Sequence, residues 1–298
     1  MTTPVADRAT ALAPAENGSS SSDLELLAPQ FCHEDSGDFG TPSGNYYWYR
    51  KRSEIVRLLR RHFRSVARPD MTVIDLGCGS GTDLFLIRRA LGVSGRFIGI
   101  EASPTALRTC ELRASYHEAA DVSFIKHDLT MDLPLRDEQI DLVYCSEVVE
   151  HLPDPDSLFA EVARILRPGG HLLLTTPNEP NILQRSYLSG RRRAMVRRRT
   201  AAEREETKKA AARTVATPLY GHISLRTAKA WDQAVSRYDL ELVDFGRGAL
   251  VYGSSPRLDR EPVLGGIFLV QAVLDVLPRS LIRGVSDQVI ALYRRLER

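Results

Sequence analysis

Two stretches of this sequence hold residues whose types and spacing could do chemistry. The first is Val73-Ile-Asp-Leu-Gly-Cys-Gly-Ser-Gly-Thr-Asp83. Gly77, Gly79 and Gly81 recur at every second position, two residues behind the acidic Asp75. Glycine permits positive φ and puts no Cβ in the way, so the backbone can close on a ligand here. The second stretch is Ser146-Glu-Val-Val-Glu-His-Leu152. A neutral imidazole at His151 can take a hydroxyl proton near neutral pH. Glu147, Glu150 and His151 stand at i, i+3 and i+4, the spacing of one face of a helical turn. Two carboxylates and an imidazole on one face could instead hold a divalent cation, with His222 of Tyr220-Gly-His-Ile-Ser224 as a fourth ligand. A proton acceptor and a metal site are both open on these residues.

The elements around these stretches must position them. Residues 72–76 read as a buried strand and 82–91 as a helix, with the glycine turn between. A strand, a glycine loop and a helix N-terminus form a nucleotide-type site. The dinucleotide fingerprint spaces its glycines G-x-G-x-x-G, whereas this loop runs G-x-G-x-G. Asp75 also suits a cationic ligand better than a pyrophosphate. A second strand, 96–101, ends on Glu101, a carboxylate able to accept both hydroxyls of a ribose. A helix follows from Ser103, with Pro104 at its first position. Residues 122–126 form a third strand, running into His127-Asp128-Leu129, and residues 140–145 a fourth. A helix over 155–166 takes Asp154 as its cap, Arg167-Pro-Gly-Gly170 stops it, and 171–176 is a fifth strand. Strands and helices alternating at this period imply a parallel sheet covered on both faces.

At these residues the chain resembles the class I S-adenosylmethionine-dependent methyltransferases. The glycine run matches their first motif. Ser146–Leu152 with Pro153-Asp-Pro155 resembles the ubiquinone-biosynthesis-type O-methyltransferases and their small-molecule relatives. Tyr47-Trp-Tyr-Arg-Lys-Arg52 resembles a Trp-Phe-Arg-x-Arg segment that precedes the glycine motif in that family. The resemblance implies an α/β, Rossmann-like seven-stranded sheet, mostly parallel with an antiparallel last strand. It implies S-adenosylmethionine as cofactor, with Asp75, Gly77, Gly79, Gly81, Glu101 and Ala102 around it. Asp128 would meet the adenine amino group and the Leu129 amide the ring. Ser146 and Glu147 complete the set, and Arg52, or Arg50, would meet the cofactor carboxylate. His151 is then the candidate base for methylation of a hydroxyl on a small molecule. The small-RNA 2′-hydroxyl methyltransferases instead use a Glu-x-x-Glu-His plus His set for metal, the alternative for Glu147, Glu150, His151 and His222. A non-catalytic binding module on the same fold is a further alternative.

Composition sets the outer bounds. The chain has 298 residues, 43% of them hydrophobic, and a formal net charge of +2. That balance gives no general pull towards nucleic acid. Cys32, Cys78, Cys110 and Cys145 are scattered, without a C-x-x-C pair, and read as free thiols of a reducing cytosol. No basic segment followed by an apolar run stands at the N-terminus, so no signal peptide is expected. Residues 1–22, rich in Ala, Ser, Thr and Pro, read as a disordered tail, and 23–298 as a single domain. Residues 53–63 form an amphipathic helix. A basic insertion at 190–215 holds ten basic and three acidic residues within 190–213. Residues 227–238 form a helix, 240–245 a sixth strand and 286–294 a seventh. The apolar stretch 262–282, within an insertion at 255–283, is interrupted by Gln271, Asp275 and Pro278. That is too broken for a spanning helix. It reads as a capping or membrane-surface segment of a cytoplasmic protein with peripheral lipid contact.

Overall fold

The computed structural model describes residues 42–64, 66–178, 223–249, 261–283 and 286–297. The expected tail, the basic insertion and His222 lie outside the described residues.

Seven strands form one sheet in the order β3-β2-β1-β4-β5-β7-β6. They are β1 (Thr72–Leu76), β2 (Arg96–Glu101), β3 (Val122–Lys126), β4 (Ile140–Ser146), β5 (Leu166–Pro177), β6 (Leu240–Phe245) and β7 (Gln288–Arg295). The first five pair in parallel, whereas β7 runs antiparallel between β5 and β6. The helices are α1 (Pro42–Phe63), α2 (Thr82–Leu91), α3 (Pro104–Tyr116), α4 (Pro155–Ile165), α5 (Ala228–Val235), α6 (Glu261–Asp275) and α7 (Arg279–Ile282). This is the seven-stranded, mostly parallel α/β sheet that the resemblance implied.

Alternation along each strand splits the core into two layers. On β1, Val73 joins a cluster with Ile55, Leu58 and Leu59 of α1 and Leu84 and Ile87 of α2. Its neighbours Ile74 and Leu76 join the opposite cluster, with Leu158, Phe159 and Val162 of α4 and Trp231 of α5. A strand buried on both faces reads as a continuous apolar run, which is why Asp75 stands out in β1. The carboxyl ends of β1 to β5 share one edge of the sheet. The order reverses there between β1 and β4, and open α/β sheets bind ligands at such a switch.

Three local expectations need correction. The first helix begins at Pro42, not near Ser53, and carries the aromatic run 46–49 on its first turns. The helix before β5 stops at Ile165, but Arg167-Pro-Gly-Gly170 belongs to the strand, since Leu166 already pairs with Ile140. The helix over 227–238 is an α-helix to Val235 and tightens to a 3₁₀ turn over Ser236–Tyr238. Asp154 caps α4 as expected, accepting from the amides of Asp156 and Ser157. Cys78, Cys110 and Cys145 are buried free thiols.

Candidate active site

The glycine loop leaves β1 with Gly77, Gly79 and Gly81 all at positive φ. Gly77 is fixed twice over. Its φ is +71°, and an added Cβ would lie 2.5 Å from Val148 Cγ2. Beside Gly79, at φ +53°, a Cβ would meet nothing within 4 Å. That open side is a cradle which a side chain would fill. Glu101, at the end of β2, ties the loop down: Oε2 accepts from the Gly79 amide at 3.0 Å and Oε1 from the Ser103 amide at 2.8 Å. A carboxylate has about four lone-pair positions, so each oxygen can accept once more. Ala102, next in the chain, is exposed at the same edge.

Asp75 is buried, and its Oδ2 has no hydrogen-bond partner. Burial pushes its carboxyl well above the ordinary range, and the nearby Asp83 adds to this. An orphaned buried carboxyl of this kind is stabilised by an arriving cation. The donor set thus fits S-adenosylmethionine: an acidic group for positive charge, Glu101 for hydroxyls and an open side on the loop.

Sequence reasoning passed over a charged network behind the loop. Asp83, in the first turn of α2, accepts from Arg52 Nε and from Tyr144 Oη, each at 2.8 Å. Lys51 Nζ lies 3.3 Å from Asp83 Oδ2, donates to Ser146 Oγ at 2.9 Å and sits 4.0 Å from the Trp48 ring centre. Burial alone would raise the Asp83 carboxyl, but Lys51, Arg52 and Tyr144 outweigh it and hold it at about 2. Arg52 is therefore shared with Asp83, and Arg50 pairs with Asp275 of α6 at 2.8 Å. Lys51 is 1% exposed, at the centre of the segment in which only the flanking arginines were singled out. A usable signal was present: Tyr47, Lys51, Ile55 and Leu59 stand at four-residue steps, which puts the lysine on the buried stripe of the helix.

Ser146 carries the network to the end of β4. Its Oγ meets Thr175 Oγ1 at 2.8 Å, and Thr175 donates to Glu147 Oε1 at 3.0 Å. Glu147 sits at φ +55°, a left-handed conformation uncommon for a residue with a side chain. That turn breaks the expected helical face, because only Val149–His151 form a 3₁₀ turn. Glu150 points inward, fully buried, with Oε2 accepting from Thr176 at 2.9 Å. Burial, then Glu147, raises its carboxyl well above the ordinary range. The His151 side chain is 32% exposed, and Nε2 lies 4.0 Å from Glu150 Oε1. The described residues contain no group of three or more His, Cys, Asp or Glu side chains arranged to hold a metal.

Asp128 follows β3, exposed, with Oδ1 accepting from the Thr130 amide at 2.9 Å and hydroxyl at 2.8 Å. These bonds lower its carboxyl and fix its orientation. Leu129 packs against the core beside it. Thus Asp75, Glu101, Asp128 and Ser146 stand at the ends of four consecutive parallel strands or just past them, as the sequence implied.

A family model described as a methyltransferase domain matches residues 67–235, over half of the chain and across all of these strand ends. The chain belongs to the class I S-adenosylmethionine-dependent methyltransferases. The cofactor is S-adenosylmethionine. This methyltransferase is similar to a demethylmenaquinone methyltransferase of Lactiplantibacillus plantarum, 26% identical over 52% of this chain and 67% of that protein. It is also similar to a ubiquinone biosynthesis O-methyltransferase of Cupriavidus pinatubonensis, 35% identical over 36% of this chain and 41% of that protein. Among solved structures, the geranyl diphosphate C-methyltransferase of Streptomyces coelicolor shares the fold. Its TM-score is 0.50 at 17% identity, over 82% of this chain and 79% of that one. The first curated relatives are matched over only 27% to 67% of their own length.

Proposed function

We propose that this methyltransferase methylates a hydroxyl oxygen of a small amphipathic molecule, with His151 as the general base. The observation that carries this reading is the place of His151. It stands just past the end of β4, partly exposed, on the turn that follows the Ser146–Lys51–Asp83 network. S-adenosylmethionine supplies a sulfonium-activated methyl group, so the protein's main tasks are binding and alignment. Glu101 and the glycine loop hold the nucleoside end, and the buried Asp75 offers its unpartnered oxygen to positive charge. Lys51, Arg52 and Asp83 brace α1 against α2 and β4, which sets the distance between that end and His151. Alignment of this kind contributes up to about 7–11 kcal/mol.

The His151 imidazole takes the proton as the acceptor oxygen attacks. The charge it gains forms about one van der Waals shell from Glu150, at 4.0 Å. A positioned base of this kind contributes about 10²–10⁴-fold. The strained turn at Glu147 aims the 3₁₀ segment that carries the ring. The ubiquinone-type relative supports an oxygen acceptor, and the apolar stretch beyond Pro262 supports an amphipathic one.

The test uses methyl-labelled S-adenosylmethionine and a fractionated host extract, with mass analysis of the labelled product. A product labelled on a hydroxyl oxygen, formed about 10²–10⁴-fold more slowly by His151→Ala, is expected. Label on carbon, nitrogen or arsenic, or undiminished turnover by the variant, contradicts the reading.

A further inference from the structure

Helix α6 carries a row of exposed apolar side chains. Its most buried described side chain is Gln271, at 1% exposure, which donates to Asp275 Oδ1 at 3.1 Å. Asp275 in turn takes Arg50 of α1. Gln271 and Asp275 thus face the protein, and Phe268 touches Tyr46 of α1, with ring centres 4.7 Å apart. The described side chains of this helix that turn to solvent are apolar. Leu269 is 68% exposed, Val273 56% and Val276, just past the helix, 82%, with Val270 between them. A surface helix ordinarily buries its apolar stripe and exposes its polar one. Scattered exposed apolar residues need no explanation, but a contiguous row on one helix marks a contact surface.

Charge at the carboxyl end of this helix says what the surface contacts. Arg247 donates to the Leu277 carbonyl at 2.9 Å. Arg279 opens α7, 3.5 Å from Asp244. The same Asp244 carboxylate also faces Arg57 and Arg61, each at 3.7 Å, and His62 at 2.9 Å. Glu54 is a second acid in this knot, paired with Arg57 at 2.7 Å. Four arginines meet two carboxylates, so positive charge is left over beside the apolar row.

We propose that α6 and the arginine knot at its end form a docking surface for the headgroup layer of an anionic phospholipid bilayer. The apolar row enters the acyl boundary, and the arginines meet lipid phosphates. Among the described residues no helix is long and apolar enough to cross a membrane, so α6 lies in the surface plane. Tyr46 and Arg50, which hold α6, are on the same helix as Lys51 and Arg52 of the cofactor network. Docking therefore brings the bilayer to the helix that frames the site.

The experiment is co-sedimentation of the full chain with two kinds of vesicle at about 0.1 M salt. One is phosphatidylcholine alone, and the other carries about 30 mol % phosphatidylglycerol. Binding to the anionic vesicles is expected to be at least about tenfold stronger, and to weaken as salt is raised. The exposed-site variant Leu269→Asp/Val273→Asp should lose at least about tenfold in that binding while keeping wild-type affinity for S-adenosylmethionine. Val270→Ser/Val273→Ser, which adds no charge, serves as the second variant and should lose binding in part. Equal binding of both vesicle types, or of wild type and variants, overturns the proposal. So does a concentration-dependent dimer, seen by ultracentrifugation without vesicles and abolished by the same substitutions, because a second copy then covers the row. The outcome does not depend on the acceptor, since it is read from binding alone.

Discussion

Asp83→Asn tests the network behind the glycine loop. The side chain keeps its shape, and it can still accept from Arg52 or Tyr144. What it loses is the charge facing Arg52 and Lys51, and the Lys51 side chain is 2% exposed. Removing one partner of a buried ion pair costs about 3–5 kcal/mol, because the other charge is left buried. Ser146 and the Trp48 ring still face the ammonium, at 2.9 and 4.0 Å. They offset part of this, so the expected loss is about 2–4 kcal/mol. A second route gives the same order. The Asp83 carboxyl falls from 3.8 to about 2 on folding, which corresponds to roughly 2 kcal/mol. The sign follows from the depressed folded value: this stability is present above pH 4 or so and disappears as the pH falls towards 2. Denaturant unfolding at neutral pH should read the loss directly. Lys51→Met should cost less, since Asp83 keeps Arg52 and Tyr144. The double variant should then be more stable than the two single losses predict, with a coupling of about 1–3 kcal/mol. A cost below about 0.5 kcal/mol for Asp83→Asn, or strict additivity, would falsify the claim that Lys51 depends on this carboxylate.

Three further outcomes follow from other parts of the molecule. Burial, reinforced by Arg294, His62 and Arg167, lowers the His171 imidazole from 6.5 to about 4. The unfolded chain therefore binds the proton first, and about 2–3 kcal/mol of stability should be lost between pH 6.5 and 4. His171→Phe, packed on Phe63, should flatten that stretch of the stability curve, and an unchanged slope refutes the assignment. Gly77→Ala places a Cβ 2.5 Å from Val148 at a φ of +71°, so thermal unfolding should show a loss of about 2–4 kcal/mol. Wild-type stability in that variant would mean the loop is free to move. His151→Ala should leave S-adenosylmethionine affinity intact while slowing turnover, and calorimetry showing weakened cofactor binding would place His151 under the cofactor instead.

The sheet was legible because its strands are apolar runs punctuated by glycine and capping residues, as at Asp154 before α4. The acids at the strand ends were legible for a related reason. Asp75 and Glu101 interrupt or close runs that are otherwise apolar, and a charge there needs a purpose. The turn after β4 departs from the expected helical face because residues at i, i+3 and i+4 share a face only if the backbone is helical. Glu147 instead adopts positive φ, which leaves Glu150 inside and His151 partly outside. The four-residue stripe marks Lys51 as buried, but its partner Asp83 stands 32 positions away and no local pattern links the two. The exposed apolar row of α6 is invisible to composition, which records an apolar segment but not which side of it meets the protein.

The central claim is that Asp75, the glycine loop and Glu101 bind S-adenosylmethionine. Isothermal titration with the cofactor tests it most directly, in wild type and in Glu101→Gln. The variant keeps the size of the side chain but forfeits charged hydrogen bonds worth roughly 1.5–3 kcal/mol. Saturable one-to-one binding by wild type, weakened about 10- to 150-fold in the variant, is the result expected. No binding by wild type, or equal affinity in the two proteins, contradicts the site described.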